Sequence, residues 1–253
     1  MPVLRTVRAT RYVAPLREGG SMPALVEADD DGLYVVKLRG AGQGRLALVA
    51  EVLAGELARA LDLPVPELVV ADVDTELARA EPDPEIQELV QASGGTNAGL
   101  DFLPGALPYA PSTGRPPGPD LAAAVVWFDC LVENVDRTPR NPNLLMWHGR
   151  LWLIDHGAAL FRQHAGLDHA DPAAPLPMAA QHVLLDAAGP LPDAAQRLAP
   201  KVDEPLLRAI VDAIPPDWFA GDPPEAYVEH LLARVAASDA WTAHAEEHRA
   251  RRR

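Results

Sequence analysis

The sequence predicts an α+β chain in two lobes, β-rich first and mainly helical second. Short β-forming runs separated by turn residues occupy residues 1–101. A stretch dense in proline and glycine follows over 102–120, with Pro116-Pro117-Gly118-Pro119 its densest part. Beyond it apolar positions recur mostly at helical spacing around one pair of short apolar strands, which makes 121–253 the second lobe. A length of 253 residues suits one large domain or two unequal lobes.

In the first lobe, 7–13 and 24–28 read as short strands, and 33–38 (Leu-Tyr-Val-Val-Lys-Leu) as a stronger one. Asp29-Asp30-Asp31-Gly32 is a hairpin turn between the last two. The glycine-rich Gly40-Ala-Gly-Gln-Gly44 opens a helix over 46–61, whose apolar positions 46, 49, 53, 57 and 60 have helical spacing. Pro64 and Pro66 stop it, and 67–73 returns as a strand. In the second lobe an apolar helix covers 121–135, then comes a hairpin, and after His169 helices cover 179–185, 204–213 and 224–238. No internal repeat is present.

Composition narrows the function classes. The formal net charge of −14 argues against a surface for nucleic-acid phosphates. The one basic run, Arg249 to Arg253, reads as the end of a helix. No stretch approaches the ~18 apolar residues of a membrane span, and Met1-Pro-Val-Leu-Arg5 does not lead into the apolar run of a signal peptide. The acidic balance also weighs against an anionic membrane surface. Cys130, the single cysteine, reads as a small buried apolar residue. A cytoplasmic protein is the expectation.

The most informative stretch runs from Asn134 to Gly157. It places an acid at Asp136, amides at Asn141 and Asn143, then two apolar strands joined by a tight turn and ending on Asp155. A hairpin returns its end to its start, so Asp136, an asparagine and Asp155 can share one small volume. Two carboxylates and an amide around a gap suit phosphoryl transfer from a Mg²⁺–nucleotide. One acid orients the nucleophile, and an acid plus an amide oxygen hold a hard cation.

This layout resembles the protein-kinase-like superfamily, and more specifically the HipA-like kinases, with a more distant similarity to phosphatidylinositol kinases. Asp136-Arg137 and Ile154-Asp155-His156-Gly157 carry the resemblance in the second lobe, with His156 standing where an aromatic residue is usual. Gly19-Gly20-Ser21, Val35-Val36-Lys37 and Leu63-Pro-Val-Pro-Glu67 carry it in the first. The resemblance implies a two-lobed protein-kinase-like fold that binds ATP and Mg²⁺ in the cleft. It makes Lys37 the lysine on the nucleotide phosphates, paired with Glu51, and Gly19, Gly20 and Ser21 a phosphate loop of backbone N–H groups and a hydroxyl. It makes Asp136 the group that orients the acceptor hydroxyl, Asp155 the metal acid, and Arg137 a holder of the loop. The acceptor it implies is a protein serine or threonine, and the distant similarity suggests a lipid. A small-molecule acceptor and an antitoxin-like partner are compatible with it, but neither is readable from one chain.

Three points stay open at the level of sequence. At ~100° per residue, Glu51 falls nearly opposite the stripe of 46, 53 and 57, and Glu56 lies nearer its edge. A helix between sheet and cleft can use two faces, which keeps Glu51. The metal amide is Asn141 by its spacing from Asp136 or Asn143 by its abutment on the strand. The second choice requires residues 138–142 to bulge away, and the spacing inclines the reading to Asn141. The activity itself has a rival of another class, a nucleotide-binding regulatory module without useful transferase activity. Two further patterns fail. Gly40-x-Gly-x-Gly44 places Arg45 where a dinucleotide fingerprint needs its third glycine. His148, His156, His164 and His169 lack the spacing of a zinc site.

Overall fold

A computed structural model describes residues 4–16, 22–41, 44–112 and 116–252. Strands β1 (Arg5–Pro15), β2 (Ala24–Ala28), β3 (Leu33–Lys37), β4 (Leu68–Val73) and β5 (Gly95–Asp101) close into a barrel in the order β1-β2-β3-β5-β4. Neighbours are antiparallel except β4, which lies parallel to β1 with Arg5 beside Val69 and Arg8 beside Asp72. Alternation along each strand sends one set of side chains inward. Val69, Ala71 and Val73 of β4 join Val7, Val26, Tyr34 and Val36 inside the barrel, and helix α2 (Pro84–Ala92) adds Ile86 and Val90. Leu68 and Val70 point the other way, into a larger core.

That larger core is where the lobes meet. Helix α1 (Gly44–Ala60) is buried at every position from Ala47 to Ala58, because the outer faces of β4 and β5 cover one side and the second lobe covers the other. Leu48, Leu53 and Leu57 are fully enclosed there, each contributing ~1.5–3 kcal/mol of burial. Polar ties join the lobes as well. Arg39 Nη2 reaches Asp217 Oδ2 at 3.0 Å, and Arg45 Nη1 donates to the Asp217 carbonyl at 2.9 Å. Gln163 Nε2 donates to the Leu46 carbonyl at 3.2 Å and Trp218 Nε1 to Thr96 Oγ1 at 3.0 Å.

The second lobe is built on α3 (Pro119–Leu131), buried throughout from Ala122 to Leu131. Against it pack helices α4 (Leu191–Leu198), α6 (Pro224–Ala236) and α7 (Ser238–Ala250), while α5 (Glu204–Val211) packs on α6 and α1, and a small sheet completes the lobe. The sheet has β7 (Leu144–Trp147) and β8 (Arg150–Leu153) joined through His148 and Gly149, at φ 47° and 75°. Positive φ at both turn positions gives the twist that a two-residue hairpin needs. A third strand, β6 (Leu107–Pro108), pairs with β7 from within the segment expected to be irregular. No helix among the described residues is long and apolar enough to cross a membrane.

The structure corrects several boundaries. The helix expected over 121–135 ends at Leu131, because the chain turns at Glu133 (φ 53°) and Asn134 N donates back to the Asp129 carbonyl at 2.9 Å. The helix expected over 179–185 is one 3₁₀ turn, Ala179–Gln181. Helices α2, α4 and α7 and strand β5 lie outside the expected elements. Gly95-Thr-Asn-Ala-Gly-Leu-Asp101 is poor in β-formers, and it is a strand because β3 and β4 flank it on both edges.

Candidate active site

The strand end carrying Lys37, the helix carrying Glu51 and the hairpin end carrying Asp155 converge between the lobes. Lys37 Nζ lies 2.6 Å from Glu51 Oε2 and is also hydrogen-bonded to Asp155 Oδ1. Lys37 is nearly buried and Glu51 wholly so, whereas the Asp155 side chain keeps 37% of its surface. Burial alone would lower the lysine's pKa, yet Glu51 and Asp155 hold it above its ordinary value. Burial would raise Glu51, and the Lys37 ammonium together with the adjacent His156 more than offsets that, holding the carboxyl at about 2. Gly157 completes the approach: a Cβ there would stand 3.1 Å from Lys37 Nζ, with Asp155 Oδ1 3.7 Å away.

The helical wheel placed Glu51 opposite the apolar stripe, and the structure shows why that is no obstacle. α1 is enclosed on all sides, so the face opposite the stripe meets Lys37 rather than water. Glu56 is also buried, but it lies toward Arg59, 3.7 Å away, and not toward Lys37.

Asp136 sits in the loop between α3 and β7. Its Oδ2 accepts from Asn141 Nδ2 at 2.7 Å and from Asn143 Nδ2 at 3.1 Å. A carboxylate only accepts, so both amides must turn their nitrogens toward it and their oxygens away. Residues 138–141 close a turn of their own, with Thr138 N and Asn141 N each bonded to the other's carbonyl at 3.1 Å. Asn141 is exposed on that turn. Asn143 is 9% exposed with φ 48°, a region that asparagine tolerates. Its carbonyl accepts from Ile154 N at 3.1 Å. Asn143 thus touches Asp136 through its side chain and the residue before Asp155 through its backbone.

Arg137 holds this arrangement from beneath. It is 1% exposed; its Nε meets Asp129 Oδ2 at 2.6 Å, and its Nη1 donates to the carbonyls of Asn143 and, at 3.4 Å, Ile154. Asp129 also takes His182 Nε2 at 2.8 Å and Asn134 Nδ2 at 3.2 Å. His182 Nδ1 accepts from Leu184 N at 3.1 Å, which leaves the ring's hydrogen on Nε2. Burial pushes the Asp129 carboxyl up, and Arg137 and His182 bring it below its usual value. Next to it, buried Glu133 is bonded to Arg162 Nε at 2.6 Å and His230 Nε2 at 2.8 Å. The enclosed Cys130 thiol is pushed up to about 12 by burial, which suits a packing role.

Sequence reading missed Asp129, His182, Glu133 and Arg162. One signal was present: Asp129 interrupts Val-Val-Trp-Phe-Asp-Cys-Leu-Val, and an acid inside so apolar a helix must find partners. Its partner His182, 53 residues away, carries no such mark. Gly19, Gly20 and Ser21 lie outside the described residues.

The donor set suits a hard cation. Asp155 Oδ2 and the side-chain oxygens of Asn141 and Asn143 take no hydrogen bond among the described residues. Oxygen ligands of this kind, few in number and completed by phosphates and water, are what Mg²⁺ uses. No three His, Cys, Asp or Glu side chains converge as a metal cluster among the described residues.

Comparisons with known proteins bear on the family and the fold. No curated protein sequence matches the chain. Among solved structures, the Helicobacter pylori proinflammatory kinase CtkA superposes with a TM-score of 0.59 at 14% identity, covering 98% of both chains. The Golgi casein kinase superposes with TM-scores of 0.54, in a structure with Mn/ADP bound, and 0.52. Those alignments cover 96% and 98% of this chain and 73% and 74% of the other, at 14% and 13% identity. At such identity they establish a shared protein-kinase-like fold. The model of the HipA-like kinase family matches residues 10–244, and over that span, nearly the whole of both lobes, the chain belongs to the HipA-like kinases, enzymes of phosphoryl transfer.

Proposed function

We propose that this kinase transfers the γ-phosphoryl group of ATP, with Mg²⁺, to the hydroxyl of a protein serine or threonine. The observation that carries the reading is the junction of Lys37, Glu51 and Asp155 across the lobes, one residue removed from Asp136 by way of Asn143. Lys37 would bind the nucleotide phosphates as a fixed point charge, with Glu51 keeping it protonated and oriented. Asp136 would hold the acceptor hydroxyl and take its proton as the oxygen attacks. Asp155 and an asparagine oxygen would hold the metal, which when bound offsets phosphate charge.

Asn143 is the better placed amide. Its backbone is tied to the residue before Asp155, whereas Asn141 reaches Asp136 from the closed turn of 138–141. Divalent-metal and nucleotide use also fits the similarity to a kinase seen with Mn/ADP. The serine or threonine acceptor rests on the family resemblance.

The test is turnover of labelled ATP with Mg²⁺ and serine-bearing protein acceptors, alongside calorimetry of nucleotide binding. Transfer that is lost in Asp136→Asn while ATP binding is kept supports the proposal, with Lys37→Met expected to weaken binding. Tight Mg²⁺–ATP binding without transfer to any hydroxyl would favour the regulatory module instead.

A further inference from the structure

His156 follows the metal acid, and its ring is fully enclosed with neither nitrogen hydrogen-bonded among the described residues. Glu51 is equally enclosed; its Oε2 is taken by Lys37, and its Oε1 has no hydrogen bond among the described residues. These unmet groups face each other, with His156 Nδ1 3.8 Å from Glu51 Oε1. Buried polar groups in folded proteins are nearly always paired, and a shift of about 1 Å turns this contact into a hydrogen bond. Phe128 of α3 meets the imidazole edge-on, with centroids 6.2 Å apart and planes at 81°, which restricts how the ring can turn.

We propose that His156 is a positioning residue for the phosphoryl transfer, its Nδ1–H held to Glu51 Oε1 so that α1 is locked to the segment bearing Asp155. Only the N–H of the neutral ring is needed. Three successive residues then grip the Lys37–Glu51 pair: Asp155 bonds Lys37, His156 bonds Glu51, and Gly157 leaves room for the ammonium. An aromatic hydrocarbon at this position could pack equally well, but it would leave Glu51 Oε1 unmet and the lysine held by a less constrained acid. This inference rests on the assignment of Lys37, Glu51 and Asp155 to the nucleotide site.

The test compares His156→Phe, His156→Asn and His156→Gln. Phenylalanine keeps the ring and removes the donor. Asparagine returns an N–H near the place of Nδ1, and glutamine returns one near Nε2. With the active fraction fixed by nucleotide-binding stoichiometry, His156→Phe should lower kcat per competent site by about 10- to 100-fold, as expected when a remote change misplaces reacting groups. KM for ATP should rise only slightly, and His156→Asn should recover most of the loss where His156→Gln does not. In a Glu51→Ala background His156→Phe should have no further effect. Wild-type kcat in His156→Phe, equal rescue by asparagine and glutamine, or additive effects with Glu51→Ala would overturn the proposal. The same cycle read by thermal unfolding without nucleotide should show non-additive shifts in Tm. That arm tests the His156–Glu51 contact even if the wild-type protein transfers no phosphate, an outcome that would instead remove the functional reading.

Discussion

Two buried ionic clusters sit one above the other in this kinase, and they are built differently. The upper one, Lys37 with Glu51 and Asp155, joins three elements from two lobes and opens to the cleft at Asp155. It leaves Glu51 Oε1 and both His156 nitrogens without a hydrogen bond among the described residues. The lower one, Asp129 with Arg137, His182 and Asn134, lies wholly within the second lobe, and both Asp129 oxygens are engaged. The difference teaches a division of labour. Lys37 and Asp155, which an incoming ligand would contact, are paired at the lobe boundary beside the open cleft, whereas the Asp129 carboxylate that anchors the loop is fully engaged in the interior.

Replacing Asp155 by Asn should separate the two clusters most sharply. It keeps shape and withdraws a charged oxygen, so transfer should fall on the order of 10³-fold, while the urea midpoint changes little because the position is partly exposed. Near-normal turnover at saturating Mg²⁺ would contradict the metal assignment. Asp129→Ala should do the reverse, acting first on folding. Leaving Arg137 uncompensated in the interior should cost ~3–5 kcal/mol, read as a lowered urea midpoint, with activity lost through unfolding and a disordered loop. If Asp129→Ala kept wild-type stability, the lower cluster would not be the structural one.

Smaller effects sharpen the comparison within the loop. Asn143→Ala should raise the Mg²⁺ concentration for half-maximal activity by about tenfold, in the range of a single lost ligand contact, and Asn141→Ala should raise it much less. Equal small effects would remove asparagine from the metal shell. The smallest expected effect is on pH dependence. Glu51 titrates at about 2 when folded against 4.5 as a free side chain, and Asp129 is also held below its usual value. Both are depressed carboxyls, so their stabilisation is present above about pH 4.5 and is lost as pH falls toward 2. Lys37 is raised, so its share is present below its ordinary value of 10.5 and is lost only at higher pH. Unfolding free energy should therefore show a steep acid limb, and it should fall again above about pH 9, where burial keeps the Cys130 thiol protonated in the folded state. Glu51→Gln should make that limb shallower, as measured by urea titrations from pH 3 to 7.

Much of this was legible in the residues because the determinants are local. The β-formers of 33–37, the Asp-Gly turn before them and the His-Gly turn of the hairpin specify strands and reversals by backbone chemistry alone, and β3 and the β7–β8 pair formed where expected. The order Asp136, then Asn141 and Asn143, then Asp155 around a hairpin likewise makes their proximity readable, though the choice between the two asparagines, inclined to Asn141 by spacing, stays open at the level of sequence. Where local signals are weak the reading failed. β5 carries two glycines and is a strand only by virtue of its neighbours, and α4 and α7 are amphipathic in a lobe whose apolar positions are too numerous to reveal their faces.

Sequence by itself determined the two-lobed order, the hairpin and the spacing of the acids, since each depends on residues a few positions apart. Tertiary structure decided which face of α1 carries the glutamate that meets Lys37, because that helix is enclosed on every side and periodicity loses its meaning there. It also decided that Asp129 finds His182 and that His156 lies against Glu51, since buried polar groups are matched across space and the sequence shows only that each needs a partner.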